Sequence, residues 1–206
     1  MNIKHLKRKL KEPLPGYKSH LKMAPKHRMM GLMQTDFEQF KPKLSAVVAL
    51  LYTEEGKTKI VFIRRSENVR MHPGQISFPG GRYEEGDADL EVTALREMQE
   101  EIGISPESVE VLGHLTDLYV PPSNFIVRAY ICYLPGLPQF QPQPSEVQEI
   151  LAFELDRFRD ASIIKTKSFT TYNSEERTEA PYFDIDGTII WGATAMMLTE
   201  LMDLTG

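Results

Sequence analysis

Three glutamates close together in one short stretch have the types and spacing needed for metal-dependent chemistry. Glu100 and Glu101 follow Glu97 by three and four residues in the sequence Arg-Glu-Met-Gln-Glu-Glu, residues 96–101. On an α-helix this spacing places the three carboxylates on one face, where like charges repel. A hard divalent cation such as Mg²⁺ binds carboxylate oxygens and substrate phosphates together, and it would relieve the repulsion. The alternative is a solvated acidic face of a surface helix.

The elements around the glutamates favour the chemical interpretation. Residues 78–81, Phe-Pro-Gly-Gly, precede them, and paired glycines let the backbone approach a ligand closely. The apolar spacing predicts a helix over about residues 90–102 that ends at Gly103. Met98 and Ile102 would lie on its core-facing side. The sequence therefore predicts a glycine loop that leads into an acidic helix.

These segments together resemble the Nudix box, the strand–loop–helix signature of Nudix hydrolases, with the pattern G-x5-E-x7-R-E-U-x-E-E-x-G-U, where U is aliphatic. Gly81 matches the first glycine, and residues 96–104 match the second half. The early acid differs, because Asp87 replaces glutamate and eight residues rather than seven separate it from Arg96. The loop before the helix is therefore longer by one residue, and Asp87 or Asp89 is a candidate for the helix N-cap.

A second motif directly precedes the box. Residues 65–81 resemble R-S-x3-R-x3-G-x3-F-P-G-G, which marks the coenzyme A pyrophosphatase branch of the Nudix hydrolases. The leading L-L-T of that motif is replaced by the apolar residues 61–63, Val-Phe-Ile. The resemblance covers about residues 44–204. It implies a Nudix-type α/β/α sandwich of the α/β (α+β) class with a mixed sheet. It also implies hydrolysis of the diphosphate bond of coenzyme A or its derivatives, giving 3′,5′-ADP and 4′-phosphopantetheine or its acyl form.

The resemblance also implies a distribution of catalytic tasks. Glu97 and Glu101 are the expected ligands of Mg²⁺ or Mn²⁺, and Glu100 is either a third ligand or the general base. Arg96 is expected to orient a carboxylate of the box through a bidentate pair. Glu146, which follows a proline-rich loop, is the alternative general base; an exposed loop acid without a catalytic task is the other interpretation of this residue.

Substrate binding is expected at the first motif. Arg65 and Arg70 offer planar guanidinium groups to phosphate oxygens, and Gly80 and Gly81 allow close approach of the backbone. Surface ion pairing with the many acids of the chain is the alternative for both arginines. Trp191 is a candidate for stacking on adenine, with packing at the start of the last helix as its alternative.

The composition fits one globular domain with an N-terminal extension. The chain has 206 residues, of which 41% are hydrophobic and 26% charged. Residues 1–30 carry nine Lys or Arg and one acid, whereas the remainder carries 15 and 28. We predict two regions: a basic N-terminal arm, with a helix and an extended leader, over residues 1–43, and a Nudix hydrolase domain over residues 44–206.

The basic arm contains an apolar stripe. Ile3, Leu6 and Leu10 have helical spacing, and prolines at 13 and 15 follow them. This pattern predicts a helix packed against the domain; binding to nucleic acid and electrostatic capture of an anionic substrate are the alternatives. Beyond the arm, we predict strands over about residues 44–52, 59–63, 109–120, 125–134, 149–155, 164–172 and 182–191, and a last helix over about 193–204.

Several classes of protein are disfavoured. The single cysteine, Cys132, excludes an internal disulfide framework, no P-loop pattern occurs, and no apolar run reaches the roughly 20 residues of a membrane span. We expect a cytoplasmic enzyme with a small-molecule substrate, coenzyme A or acyl-coenzyme A, and neither nucleic acid nor membrane as partner; a homodimer is left open. The alternatives are a Nudix hydrolase of another nucleoside diphosphate derivative and a non-catalytic binding module of the same fold.

Overall fold

The computed structural model describes residues 2–25, 38–69, 72–170 and 177–206. The helices in these ranges are α1 (Ile3–Lys9), α2 (Tyr17–His20), α3 (Leu90–Ile102) and α4 (Gly192–Leu204). The strands are β1 (Lys43–Glu54), β2 (Lys57–Arg65), β3 (Ile76–Ser77), β4 (Gly80–Arg82), β5 (Glu110–His114), β6 (Leu118–Val120), β7 (Phe125–Leu134), β8 (Val147–Glu154), β9 (Ile164–Thr170), β10 (Arg177–Ile185) and β11 (Thr188–Trp191).

The larger sheet is mixed and is built around β1. In the described part of the chain its order is β3-β2-β1-β7-β5, with β4 paired to β1, β6 to β7 and β8 to β2. The long β1–β7 pairing is parallel, and the others are antiparallel. β1 pairs with β2 only from Leu51 onward. Nearer its start, Ala46 and Val47 pair with Gly81 and Gly80 of β4. The glycine pair is therefore a strand inside the sheet.

The sheet is covered by a helix on each face. Side chains alternate along β1, so that Val48 and Leu50 belong to the core cluster that contains α3. Ala49 and Leu51 belong to the opposite cluster, which contains α4. This arrangement is the predicted α/β/α sandwich with a mixed sheet. No helix in the described ranges is long and apolar enough to cross a bilayer.

A smaller sheet of order β11-β10-β9 lies after the larger one in sequence. The predicted single strand over 182–191 is wrong, because Ile185 and Thr188 pair across a two-residue hairpin. Asp186 and Gly187 form that turn with φ of 53° and 81°. An Asp-Gly pair between apolar residues is a strong hairpin signal, so the sequence did contain the evidence for this turn.

The first helix of the basic arm packs against the domain, as its apolar stripe predicts. Leu6 is 1% exposed, and Leu10 packs over Gly113 of β5. Lys7 of α1 forms an ion pair with Glu110, also of β5. The expected extended leader is wrong for residues 17–23, which form α2 and a 3₁₀ turn. The prolines end α1 as expected but do not prevent a second short helix after Gly16.

A buried carboxylate fastens this arm to α4. Glu200 is completely buried, and its Oε1 accepts hydrogen bonds from the backbone N–H of Gly16 at 2.9 Å and the hydroxyl of Thr116 at 2.7 Å. Its Oε2 lies 2.8 Å from Nε2 of the equally buried His20. A buried carboxylate is tolerated only where such partners satisfy it. The arm residues Gly16 and His20 are therefore tied to the core on the α4 side.

Replacing Leu6 by Ala tests the packing of the arm. Loss of a buried leucine is expected to lower the free energy of unfolding by about 3 kcal/mol, because a cavity remains. Thermal unfolding measures the change, and the exposed Lys4→Ala on the same helix is the control. Equal melting temperatures for the two variants would contradict the packing interpretation, and a flattened salt dependence of kcat/KM in Lys4→Ala would favour electrostatic capture.

Candidate active site

The helix that carries the glutamates begins at a well-formed cap. The Oδ1 of Asp89 accepts hydrogen bonds from the backbone N–H groups of Glu91 and Val92, both at 2.9 Å. Asp89 rather than Asp87 is therefore the N-cap. Buried Met98 and Ile102 hold the opposite side of α3 against the sheet, as predicted.

The proline-rich loop before β8 covers the end of the same helix. Gly103 has φ of 72°, and a Cβ there would lie 2.6 Å from Gln141 Cβ. The backbone N–H groups of Gln141 and Gln143 donate to the carbonyl oxygens of Ile102 at 2.9 Å and Glu101 at 3.0 Å. The loop thereby satisfies carbonyl groups that a helix end leaves free. It also brings the following residues, including Glu146, towards the acidic face.

Glu101 is buried against the glycine strand. Its side chain is 1% exposed, its Oε2 accepts a hydrogen bond from the Gly80 N–H at 2.8 Å, and Arg65 Nη1 lies 3.5 Å from its Oε1. Burial raises the pKa of Glu101 to about 8. The N–H of Gly80 and the guanidinium of Arg65 favour the charged form but offset only part of that cost. One predicted metal ligand thus contacts two predicted substrate-binding residues.

Glu97 lies beside the second glycine. A Cβ at position 81 would stand 2.2 Å from Glu97 Cδ, so the carboxyl group occupies the space that Gly81 leaves open. Burial raises the pKa of Glu97, although a hydrogen bond from Arg96 opposes the shift. Glu97 and Glu101 therefore place two poorly solvated carboxyl groups against one glycine pair.

The two candidates for the general base differ in their surroundings. Glu100 is mostly exposed and accepts a hydrogen bond from Arg96 Nη1 at 3.2 Å. The Glu146 side chain is also exposed, but its negative charge contributes to the raised pKa of both Glu97 and Glu101. The backbone carbonyl of Glu146 is fixed by the N–H of Ser66 at 2.8 Å.

Arg96 makes its bidentate pair with Asp87. Its Nε and Nη2 donate to the two oxygens of Asp87 at 3.0 and 3.1 Å, whereas Nη1 contacts Glu97 and Glu100 by one hydrogen bond each. The bidentate contact is therefore made with the acid at the early position of the box pattern. Hydrogen bonds, chiefly from Arg96, lower the pKa of Asp87.

Asp87 is the site residue whose function the sequence left undefined. Its Oδ2 also accepts hydrogen bonds from the Thr93 hydroxyl at 2.8 Å and the Glu84 N–H at 3.1 Å. Because Arg96 in turn donates to the Arg82 carbonyl oxygen, Asp87 connects the lengthened loop to both α3 and β4. The sequence indicated a function for Asp87, because it is the sixth residue after Gly81, where the box pattern has its first acid. The additional residue between Asp87 and Arg96 made this match uncertain in the sequence alone.

The chemistry of these side chains suits a hard divalent cation. In the described part of the chain, no three His, Cys, Asp or Glu side chains are arranged to hold a metal ion. Glu97 and Glu101 are nevertheless two oxygen donors on adjacent turns, with raised pKa values that a nearby cation would lower. Mg²⁺ needs only one or two protein carboxylates when waters and substrate phosphates supply the other ligands.

A cleft of about 550 Å³ lies beside the glycine strand, and none of Glu97, Glu100, Glu101 and Glu146 is among the residues that line it. Glu101 is connected to the cleft through its contacts with Gly80 and Arg65. Arg65, Gly80 and Gly81 line it together with His72 and Trp191. The structure thus brings three of the four predicted substrate-binding residues to one cavity. The fourth, Arg70, lies outside the described residues.

The comparisons with known proteins show the family of this chain. Residues 42–172 match the NUDIX domain family, and the chain belongs to that family. The mouse peroxisomal coenzyme A diphosphatase NUDT7 is 38% identical over 128 residues, which are 62% of this chain and 53% of the relative. Nudix hydrolase 15, mitochondrial, of Arabidopsis thaliana is 31% identical over 185 residues, 84% of this chain and 62% of the relative.

The matched segments thus span little more than half of these two curated relatives. Among solved structures, the crystal structure of RenU, a Nudix hydrolase from M. smegmatis, superposes with a TM-score of 0.52 at 13% identity. That alignment covers 80% of this chain and 86% of RenU, and it supports the fold.

Asp87→Asn tests the pair with Arg96. The variant is expected to lose about 2 kcal/mol of stability, because a buried carboxylate loses its charge beside a guanidinium that is only partly exposed. Asp89→Asn is the matched control, since Asn caps helices as well as Asp does. Thermal unfolding at neutral pH compares the two variants.

The stability difference should also depend on pH. The pKa of Asp87 is lowered in the folded protein, so its contribution is complete above the unfolded value of about 3.9 and is lost as the pH falls through the folded pKa. A difference between wild type and Asp87→Asn that persists unchanged at strongly acidic pH would contradict this assignment.

Three glycine-to-alanine variants separate catalysis from folding. Gly81→Ala pushes on a movable carboxyl group, so we expect a loss of kcat of about 10²-fold with little change in melting temperature. At Gly80 (φ of 152°) a Cβ would lie 2.4 Å from the Ala46 carbonyl oxygen, so Gly80→Ala should destabilise the fold. Gly86→Ala, with nothing within 4 Å, is the control. Full activity in Gly81→Ala would contradict a catalytic function of Glu97.

Proposed function

We propose that the protein hydrolyses the diphosphate bond of coenzyme A or an acyl derivative, with Mg²⁺ or Mn²⁺ as cofactor. The products are 3′,5′-ADP and 4′-phosphopantetheine or its acyl form. The observation that carries the proposal is the position of Glu101, which touches Gly80 and Arg65 at once. The acidic helix and the motif typical of the coenzyme A branch meet at this carboxylate, beside the cleft.

The division of tasks follows from burial and contacts. Glu97 and Glu101 would hold the cation, and Glu100 would join as a third ligand once its hydrogen bond with Arg96 breaks. When bound, such a cation polarises phosphoryl oxygens, lowers the pKa of water and balances developing charge. Arg96 is a positioning residue, because it holds Glu97 and is itself held by Asp87.

The reaction requires a base for the attacking water. Glu146 is the better candidate, because its charge influences both buried glutamates, whereas Glu100 is engaged with Arg96. The water oxygen forms a bond to one phosphorus, Glu146 takes the proton, and the bridging oxygen leaves with the other phosphate. Arg65, which lines the cleft and lies 3.5 Å from Glu101, would bind a phosphate oxygen of the substrate.

The choice of coenzyme A rests on the 65–81 motif and on the name of the mouse relative. Arg70 of that motif is proposed as a second phosphate-binding residue. We also propose a cytoplasmic location without nucleic-acid partners, because the one cysteine is free and buried and the first helix of the basic arm is packed against the domain.

A panel of diphosphates tests the substrate. Coenzyme A, dephospho-coenzyme A, a dinucleotide and a nucleotide sugar are incubated with Mg²⁺ or Mn²⁺, and the products are identified by mass. Coenzyme A should give the highest kcat/KM and 3′,5′-ADP as a product. A higher kcat/KM for the dinucleotide or the sugar would select the other Nudix substrate class. No turnover of any compound would select the binding module.

Glu97→Gln and Glu101→Gln test the metal ligands. Each is expected to lower kcat by about 10²-fold or more, since each removes a charged ligand worth a few kcal/mol in the transition state. Glu91→Gln, an exposed position in the first turn of the same helix, is the control. Wild-type rates in either ligand variant, or in excess chelator, would exclude this mechanism.

A further inference from the structure

An aromatic stack lies on one face of the smaller sheet. The rings of Phe169 in β9 and Trp191 in β11 are parallel, with centroids 3.9 Å apart and an interplanar angle of 6°. Tyr182 of β10 meets Phe169 edge-on, and Lys167 Nζ lies 4.9 Å from the centre of the Phe169 ring. Ala180, on the strand between the two stacked rings, is small enough to let them meet above it. One face of the indole is therefore covered and its plane is fixed.

The same indole is part of the cleft wall. Trp191 lines the cavity of about 550 Å³ together with Arg65 and Gly80, and it is only half-buried. It ends β11, and Gly192, with φ of 62°, turns the chain directly into α4. In the described part of the chain, Phe169 is the one ring stacked on Trp191. The indole atoms that line the cleft therefore belong to the side turned away from Phe169 or to the ring edge.

We propose that Trp191 contributes to substrate binding by stacking on the adenine of the substrate. The inference rests on the proposed function, which places the diphosphate beside Gly80 and Gly81. In coenzyme A the base follows the diphosphate through one ribose, so a base site must adjoin the phosphate site. A flat ring held parallel by a second ring suits another planar ring, and base–aromatic stacking is favourable for any base. The flexible pantetheine arm of coenzyme A has no planar ring, so it cannot stack on the fixed indole of Trp191 as adenine can.

The fluorescence of Trp191 provides a direct test, because it is the only tryptophan in the chain. The wild-type protein, with metal chelated, is titrated with 3′,5′-ADP or with 4′-phosphopantetheine, which has a phosphate but no base. Free tryptophan corrects for absorption by the ligand. Saturable quenching by 3′,5′-ADP alone is expected. Quenching by 4′-phosphopantetheine alone would assign this wall to the pantetheine arm and overturn the inference.

Kinetics provide the second measurement. Trp191→Leu should raise the KM for coenzyme A by about 10-fold with little change in kcat, because stacking holds ground and transition states alike. Trp191→Phe, which keeps a planar ring, should restore most of the affinity. Phe40→Leu removes an exposed ring stacked on Tyr119, outside this cluster, and is the control. Equal KM values for Trp191→Leu and Trp191→Phe would overturn the inference.

The two proposals fail in different ways. Hydrolysis of coenzyme A without quenching by 3′,5′-ADP contradicts the base site and leaves the reaction intact. Quenching by 3′,5′-ADP without hydrolysis of coenzyme A supports the base site and contradicts the proposed reaction.

Discussion

Two carboxyl groups that water barely reaches stand against a glycine strand, and this constraint organises the rest of the structure. Burial raises the pKa of Glu97 and of Glu101, and the charge of Glu146 raises both further. The charge of Glu100 adds to the shift of Glu97, and the charge of Glu97 adds to the shift of Glu101. Such groups are costly in a folded protein unless partners or cations compensate. A helix fixed at both ends and a strand that begins with two glycines allow them to remain there. The cost is concentrated at the place where a divalent cation would reduce it.

The sheet topology places the glycine strand beside these carboxyl groups. β1 and β2 pair beside their hairpin and then separate, and β3 and β4 occupy the gap. This places Gly80 and Gly81 in the interior of the sheet, where the backbone N–H of Gly80 faces the helix and meets Glu101. A Cβ at either position would collide, at Gly80 with the backbone of β1 and at Gly81 with Glu97. Glycine is therefore required at the two positions for different reasons. At Gly80 the backbone of β1 leaves no room for a side chain, and at Gly81 the carboxyl group of Glu97 occupies that space.

Much of this arrangement was accessible from the sequence because it depends on local patterns. The spacing of apolar residues, with Gly103 as the end, predicted the helix α3 over the residues that it occupies. The apolar composition of residues 44–52 predicted the buried strand β1. Which carboxylate of the box pairs with Arg96 was not predicted, because Asp87 reaches it from a loop whose length differs from the family pattern. The position of Glu146 beside the other acids depends on the docking of a proline-rich loop on the end of α3, a contact that no local spacing specifies. The break of the predicted 182–191 strand into a hairpin was a missed local signal rather than a tertiary effect.

The candidate catalytic residues and the cleft wall that contains Trp191 come from different parts of the chain. The glutamates, Arg96 and the glycine strand all lie within residues 42–172, the part that matches the family. Trp191 and α4 lie beyond that segment, and α4 is fastened through buried Glu200 to His20 and Gly16 of the N-terminal arm. The described part of the arm therefore supports, through α4, a wall of the cleft. It follows that changes in the flanking regions can alter which molecule fits the cleft, while the arrangement that would cleave a diphosphate stays the same.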